Sequence, residues 1–228
     1  MALIDERAWA GAEHLDPSYV AAYERKADAN PAEALNLLRR HGFGQESTLV
    51  DLGAGTGSFA VAAAAECKHV VAVDVSPAMV DAIRANAAAR GLTNVEAVEA
   101  GFLSYAHGGD PVDVVHTRHA LHHLPDLWKA VAIRRAARLL RPGGLLYLRD
   151  LVFSFELDDS ETTLEKWLAR AAPSPDQGWT RAELETHLRD EFSTFTWLLE
   201  PMLERAELAI VEARYSDGIY AEYLCRRR

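Results

Sequence analysis

Cysteine is almost missing from this chain. Its 228 residues hold two, Cys67 and Cys225, far apart and outside any C-x-x-C pattern. That scarcity excludes a disulfide scaffold and a cysteine-rich zinc module, and it fits two reduced, buried thiols. Long apolar runs are missing too. No stretch approaches the roughly 18 uninterrupted apolar residues that a membrane-spanning helix needs. The first residues, "MALIDERAWAGAEHLD", carry acids early and have no apolar segment of the kind that marks a secretory leader. The expectation is a cytoplasmic protein without membrane partners. Positive charge is in the minority: 24 Lys plus Arg against 34 Asp plus Glu leave a formal net charge of −10. A surface of that sign repels phosphate backbones, so nucleic acid is not an expected partner. The terminal Arg226–Arg228 run reads as a polar tail.

What is present is a regular alternation. At 228 residues with 49% hydrophobic content, the chain can build one sizeable core. The stretch "PSYVAAYERKADANPAEALNLLRR" reads as two helices, the second opened by Pro31, whose missing N–H costs nothing in a first turn. From residue 48 short apolar strands alternate with helices: "STLVDLG", "SFAVAAAAECK", "HVVAVDVS", then a helix capped by Ser76 with Pro77 inside its first turn and stopped at Gly91. "NVEAVEA" and "VDVVHT" are further strands. "DLWKAVAIRRAARLL" is an amphipathic helix whose apolar face is expected to carry Leu127, Val131, Leu139 and Leu140. "RPGG" should end it before the strand "LLYLRDLVF".

Such an order predicts right-handed βαβ units and a mostly parallel, doubly wound sheet. Residues 154–206 differ. They hold acidic helices, a T-x-x-E capping box at Thr180–Glu183, and the aromatics Phe153, Phe155, Trp167, Trp179, Phe192, Phe195 and Trp197 at or near this segment. Two closing strands, "LAIVEARYS" and "IYAEYLCR", meet at the turn Asp217-Gly218 and should pair antiparallel. The whole is expected to be one domain: a helical cap at 1–44, a ligand-binding core at 45–152, an aromatic-rich helical insertion at 153–206 and a strand pair at 207–228.

The chemistry concentrates in "VDLGAGTGSFA", residues 50–60, after the first strand and at the opening of a helix. Gly53, Gly55 and Gly57 allow a tight turn and close approach of the backbone to a ligand. Asp74 ends the next strand, 21 residues after Gly53, where an acid can accept both hydroxyls of an adenosine ribose. A dinucleotide fingerprint would want a third glycine at position 58, which is Ser58. Asp51, directly before the glycines, would repel a pyrophosphate and suits a ligand with a positively charged amino group.

The sequence here resembles the class I S-adenosylmethionine-dependent methyltransferases. The resemblance rests on "VDLGAGTG", the acid in "VAVDVSPAMV", "VDVVHTRHALHHL" and "LLRPGGLLYLRD", in that order, and covers about residues 45–152 plus the closing strands. It implies a Rossmann-like, seven-stranded sheet whose last strand is antiparallel, with helical elements covering the active site. It also implies S-adenosylmethionine as cofactor. Asp51 would face the methionine amino group, and Gly53, Ala54, Gly55 and Gly57 would pass beneath the cofactor. Asp74 would take the ribose, Val75 and Met79 would pack near the adenine, and Thr117 and Arg118 would line the sulfonium side. Where the family often has an acid for the adenine amino group, this chain has Gly101, followed by Phe102.

Four histidines crowd "HTRHALHHLPD", residues 116–126. His119 and His123 have the spacing of a zinc-protease helix, but the catalytic glutamate of that motif is replaced by Ala120 and no third ligand follows at a familiar spacing, so no metal site is expected. His116 lies in a strand and should point away from His119. A histidine near its ordinary pKa of about 6.5 can serve as general base when a methyl acceptor must lose a proton. His119 is the first candidate and His123 the second. Two rivals stay open: a nicotinamide-dependent oxidoreductase and a non-catalytic protein that binds the cofactor. The expected partner is a small-molecule acceptor; the sequence leaves the acceptor atom and the oligomeric state open.

Overall fold

The structure is a computed structural model and describes residues 5–11 and 30–228. The first of the two N-terminal helices expected at residues 17–40 lies outside the described residues. Among those described, a short helix α1 (Glu6–Trp9) comes first, its start held by the Asp5 carboxylate accepting from Arg7 N–H. Helix α2 (Ala32–Arg40) follows, with Pro31 just ahead of it and Ala34, Leu35, Leu37 and Leu38 buried. Then come β1 (Thr48–Leu52), α3 (Ser58–Ala64), β2 (His69–Asp74), α4 (Pro77–Ala89), β3 (Val95–Glu99), β4 (Val112–Arg118), α5 (Asp126–Leu139) and β5 (Leu140–Phe153). The remainder holds α6 (Ser160–Leu168), α7 (Arg181–Asp190), β6 (Thr194–Phe195), α8 (Thr196–Arg205), β7 (Leu208–Ser216) and β8 (Tyr220–Arg227).

The strands order as β3-β2-β1-β4-β5-β8-β7. Neighbours are parallel up to β5, and β8 runs antiparallel to both β5 and β7. The doubly wound, mostly parallel sheet is what the alternation predicted, and its antiparallel last strand is what the family resemblance implied. One strand was not expected: the two-residue β6 pairs with the end of β5 off the main path. Both faces are covered because neighbouring residues of each strand point to opposite sides. Val50, Val71, Val115 and Leu146 pack with Ile133 of α5 and Leu199 and Leu203 of α8. Leu49, Val70, Val114 and Leu145 pack with Leu35 of α2, Phe59 of α3 and Ile83 of α4.

Local rules fix several joints. Ser76 caps α4 with Pro77 following, and Thr180 with Glu183 closes a reciprocal capping box at α7. Asp217 and Gly218 both have positive φ, as a tight hairpin turn requires. Two expectations need correction. The strand β5 begins at Leu140, not after "RPGG". Val112 pairs with Leu140 and Val114 with Leu145, so "RPGG" is a bulge inside the strand. The buried face of α5 is only in part the one expected. Leu139 packs on the core and Leu140 is fully buried, but Leu127 is 68% exposed and Val131 37%, whereas Ala132, Ile133, Ala136 and Ala137 are buried. Alanines on that side let the helix lie close against the sheet.

Lys129 is buried with them, 2% exposed. Its ammonium donates to the Asp126 carboxylate at 3.0 Å and to the Phe192 carbonyl. Burial pulls its pKa down, and Asp126 works against that.

The reversal of strand order lies between β1 and β4, which both adjoin the crevice at their carboxyl ends. Ligands of open α/β sheets sit there.

Candidate active site

The glycine turn forms because the chain must leave β1 and enter α3 within a few residues. Gly53 has φ +70°, and a Cβ there would lie 2.4 Å from the Ala120 Cβ. Any larger residue would be strained and would collide with the loop after β4. That contact brings the loop carrying the histidines against the turn. Asp74, at the end of β2, accepts from Gly55 N–H at 2.8 Å and from Ser76 N–H at 2.9 Å, one per carboxylate oxygen. Burial outweighs these two bonds and raises its pKa to about 6.

Two cavities meet at this turn. The smaller is framed by Asp74, Val75, Met79, Gly101 and Phe102, with Glu6 and Ala10 from the α1 segment. The larger, about 1030 Å³, runs from Asp51, Ala54 and Gly57 past Arg118 to the insertion, where Trp167, Trp179 and Tyr220 line it. Gly53, Gly55, His119 and His123 border both. The structure therefore brings together all the residues expected at the site except Thr117. Thr117 is buried at 3% exposure and lines neither cavity, because it alternates with its neighbours His116 and Arg118, which do face the larger one.

Three site features were not foreseen. First, His116 does not turn away from His119; both line the large cavity. The φ of +50° at His119 redirects the chain after β4 and brings its ring to the same side. His116 Nδ1 lies 2.6 Å from Asp51 Oδ1, and its ring stacks on Phe59 at 3.5 Å and on Tyr147 at 5.1 Å between centroids. Asp51 thus has one oxygen engaged and is not free to turn wholly toward an amino group. Second, the place beside Gly101 is filled from the N-terminal side. A Cβ on Gly101 would lie 2.4 Å from a Glu6 oxygen. The Glu6 carboxylate accepts from Leu103 N–H and Ser104 N–H, both at 3.0 Å, and from the Ser104 hydroxyl at 2.9 Å. Arg7 secures the same segment by donating to the Val75 carbonyl at 3.2 Å and pairing with Glu99. No local pattern links residue 6 to residue 101, so sequence reading had no signal for this contact.

Third, the histidines divide by environment. Burial pulls His119 down to a pKa of about 3, and the nearby Asp150 only partly offsets it. Its ring is neutral, with Nδ1 buried and unpartnered, and it meets Tyr220 edge-on at 5.8 Å. The ordinary value near 6.5 assumed from sequence does not apply. His122 shows the opposite outcome. Burial lowers it too, but Asp150 and Glu191 overcome that and raise it to about 9. Its Nδ1 lies 2.5 Å from Asp150 Oδ1 and its Nε2 lies 3.2 Å from Glu191 Oε2. Burial would raise both carboxyls, yet the facing histidines hold Asp150 and Glu191 far below the usual carboxylate range. His123 sits beside His122, ring centroids 4.3 Å apart.

The aromatics of the insertion are mostly core. Phe153 and Trp167 are buried and pack with Phe155 and Phe195, Trp197 is 59% exposed, and of the seven only Trp167 and Trp179 reach the cavity.

Residues 49–144 match the model of the methyltransferase domain family. That segment, 96 of the 228 residues, is similar to the methyltransferase domain. Among curated relatives of this family the chain is 32% identical over 105 residues to the uncharacterized methyltransferase YcgJ of Bacillus subtilis, covering 46% of this chain and 41% of that protein. It is 35% identical over 131 residues to an uncharacterized methyltransferase of Mycobacterium bovis, covering 58% and 49%. The matches thus span less than half of those relatives. By structure, magnesium protoporphyrin IX methyltransferase from Synechocystis, crystallised with S-adenosylmethionine, superposes with a TM-score of 0.67 at 14% identity over 100% of both chains. The crystal structure of YcgJ gives 0.63 at 18% identity, over 86% of this chain and 99% of that one. These likenesses establish the methyltransferase fold. Among the described residues no helix is long and apolar enough to cross a membrane.

Proposed function

We propose that this protein transfers a methyl group from S-adenosylmethionine to a small, partly apolar acceptor held in the large cavity. The observation that carries this is the junction of two cavities at the glycine turn, with Asp74 in one and His119 shared by both. In this reading the ribose hydroxyls donate to Asp74, whose oxygens each retain an accepting position beside the backbone bond they already make. Val75, Met79 and Phe102 flank the adenine. Asp51, held by His116, receives the amino group, and Arg118 stands at the methyl-donor side. Within residues 1–44 the described segments 5–11 and 30–44, together with 153–206, act as covers over a core at 45–152, all within one domain. The cofactor when bound supplies an activated methyl group, so what the chain adds is alignment of donor and acceptor, worth much of the rate in a displacement of this kind.

His119 contributes to that alignment. A ring with a pKa of about 3 is a weak proton acceptor, so the neutral imidazole, which borders both cavities, serves better as a hydrogen-bonding group that orients the substrate than as a general base. Two measurements test the reading. Calorimetric titration with S-adenosylhomocysteine should show binding in the micromolar range, and methyl-labelled S-adenosylmethionine should pass label to a compound in a metabolite extract. A folded protein that binds no S-adenosylhomocysteine sinks the reading, and binding without any label transfer leaves a cofactor-binding protein instead. His119→Asn, chosen because Asn tolerates the left-handed backbone, should slow transfer by roughly 10-fold or more while S-adenosylhomocysteine affinity stays within about twofold. Loss of affinity in that variant would make the residue structural.

A further inference from the structure

One cluster in the large cavity is not used by this reading. His122, in the short helical turn after β4, faces His187 and Glu191, which lie four residues apart at the end of α7. One ligand atom from each of the three lies within 4.8 Å of the other two. We propose that His122, His187 and Glu191 form a three-ligand site for a divalent first-row transition metal of the zinc class, opening onto the large cavity.

Four observations support it. The donor set is two imidazole nitrogens and one carboxylate oxygen, which suits zinc, iron, cobalt or nickel better than magnesium or calcium. The ring nitrogens not aimed at the cluster are both held. His122 Nδ1 lies on the Asp150 carboxylate at 2.5 Å, and His187 Nε2 lies 2.8 Å from the Ser193 hydroxyl. Outer partners of this kind fix the tautomer and aim of a metal-binding histidine. Glu191 Oε2 is the oxygen both rings approach, so the three groups converge on one point. The backbone on the far side is pinned as well: Phe192 N–H donates to the His122 carbonyl at 2.9 Å, and its carbonyl accepts from Lys129. That pinning keeps α7 registered against the loop after β4.

All three residues line the large cavity, so a fourth position could be taken by water or by an oxygen of the bound molecule. The site would then select acceptors with an oxygen or nitrogen donor near the reacting atom. The familiar spacing belongs to His119 and His123, which are not the pair in this cluster. The partners of His122 instead come from about 65 residues downstream, where H-x-x-x-E on a helix carries little signal alone.

The test uses the full, untagged chain after treatment with a chelator. Zinc added in a calorimetric titration should bind with one equivalent per chain, and cobalt should give the absorption of a low-symmetry, nitrogen- and oxygen-ligated ion. His187→Ala and Glu191→Gln should each weaken binding by more than the roughly 10–100-fold that loss of an outer partner gives. His41→Ala and His69→Ala, remote from the cavity, should change nothing. X-ray absorption of the zinc-loaded wild type should show imidazole ligation at about 2.0–2.1 Å, whether or not the variants fold. Absence of a stoichiometric site in the folded wild type overturns the proposal. So does equal binding by folded His187→Ala and Glu191→Gln chains, or ligation without imidazole. None of these outcomes depends on methyl transfer.

Discussion

Asp150→Ala should lower the free energy of unfolding by about 3–5 kcal/mol, the range expected when one partner of a buried ion pair is removed and the other stays behind. Asp150 is 2% exposed. Its carboxylate accepts from Leu121 N–H at 2.8 Å, His122 N–H at 3.2 Å and Leu151 N–H at 2.8 Å, besides facing the His122 ring. Alanine would leave buried backbone donors unsatisfied and a buried imidazole without its closest acceptor. Urea denaturation followed by circular dichroism measures the loss. Asp150→Asn keeps the shape and part of the hydrogen bonding, so it should retain a good fraction of the stability. A loss under about 1 kcal/mol for the alanine variant would show that the loop after β4 is not anchored through this carboxylate.

The second large effect concerns Asp74. Asp74→Ala should weaken S-adenosylhomocysteine binding by about 10-fold or more, since a lost hydrogen bond to a charged group is worth roughly 1.5–3 kcal/mol. The pKa of about 6 adds a pH signature. Ribose hydroxyls donate to the ionised carboxylate, so affinity should be near its plateau at pH 7 and fall about tenfold by pH 5 as the free group protonates. Stability runs the other way. The folded pKa lies above the 3.8 of the unfolded chain. The contribution of this group is therefore fully present below about pH 4 and is lost as pH rises through about 6. Calorimetry between pH 5 and 8 decides the matter: an affinity that is flat in the wild type, or still pH-dependent in Asp74→Ala, would remove Asp74 from the ribose site.

How much of this was legible follows from the range over which each feature is encoded. The β–α alternation, the Ser76 and Thr180 caps and the Asp217-Gly218 turn are set by neighbours within a few residues, and they stand as read. Asp74 and the glycine turn were legible because their spacing is imposed by one strand–helix–strand unit. The buried face of α5 was misread at Leu127 and Val131, because close packing on a sheet favours the small side chains of Ala132, Ala136 and Ala137. The pairing of Asp51 with His116, the seat of Glu6 beside Gly101 and the joining of His122 to His187 and Glu191 all cross 65 residues or more. Only the folded sheet brings such groups together. The depressed pKa of His119 was equally hidden, since burial and not residue type sets it.

The seating of α1 has a practical consequence. Its anchors grip the end of β3 and the turns after β2 and β3, which frame the smaller cavity, while Trp9 meets Phe192 edge-on at 6.4 Å. A cargo fused just ahead of α1 pulls on those anchors, and through them on ligand affinity. Chains made for assays or immobilisation are thus better extended from Arg228, at the far end of β8, where an added segment leaves that grip alone.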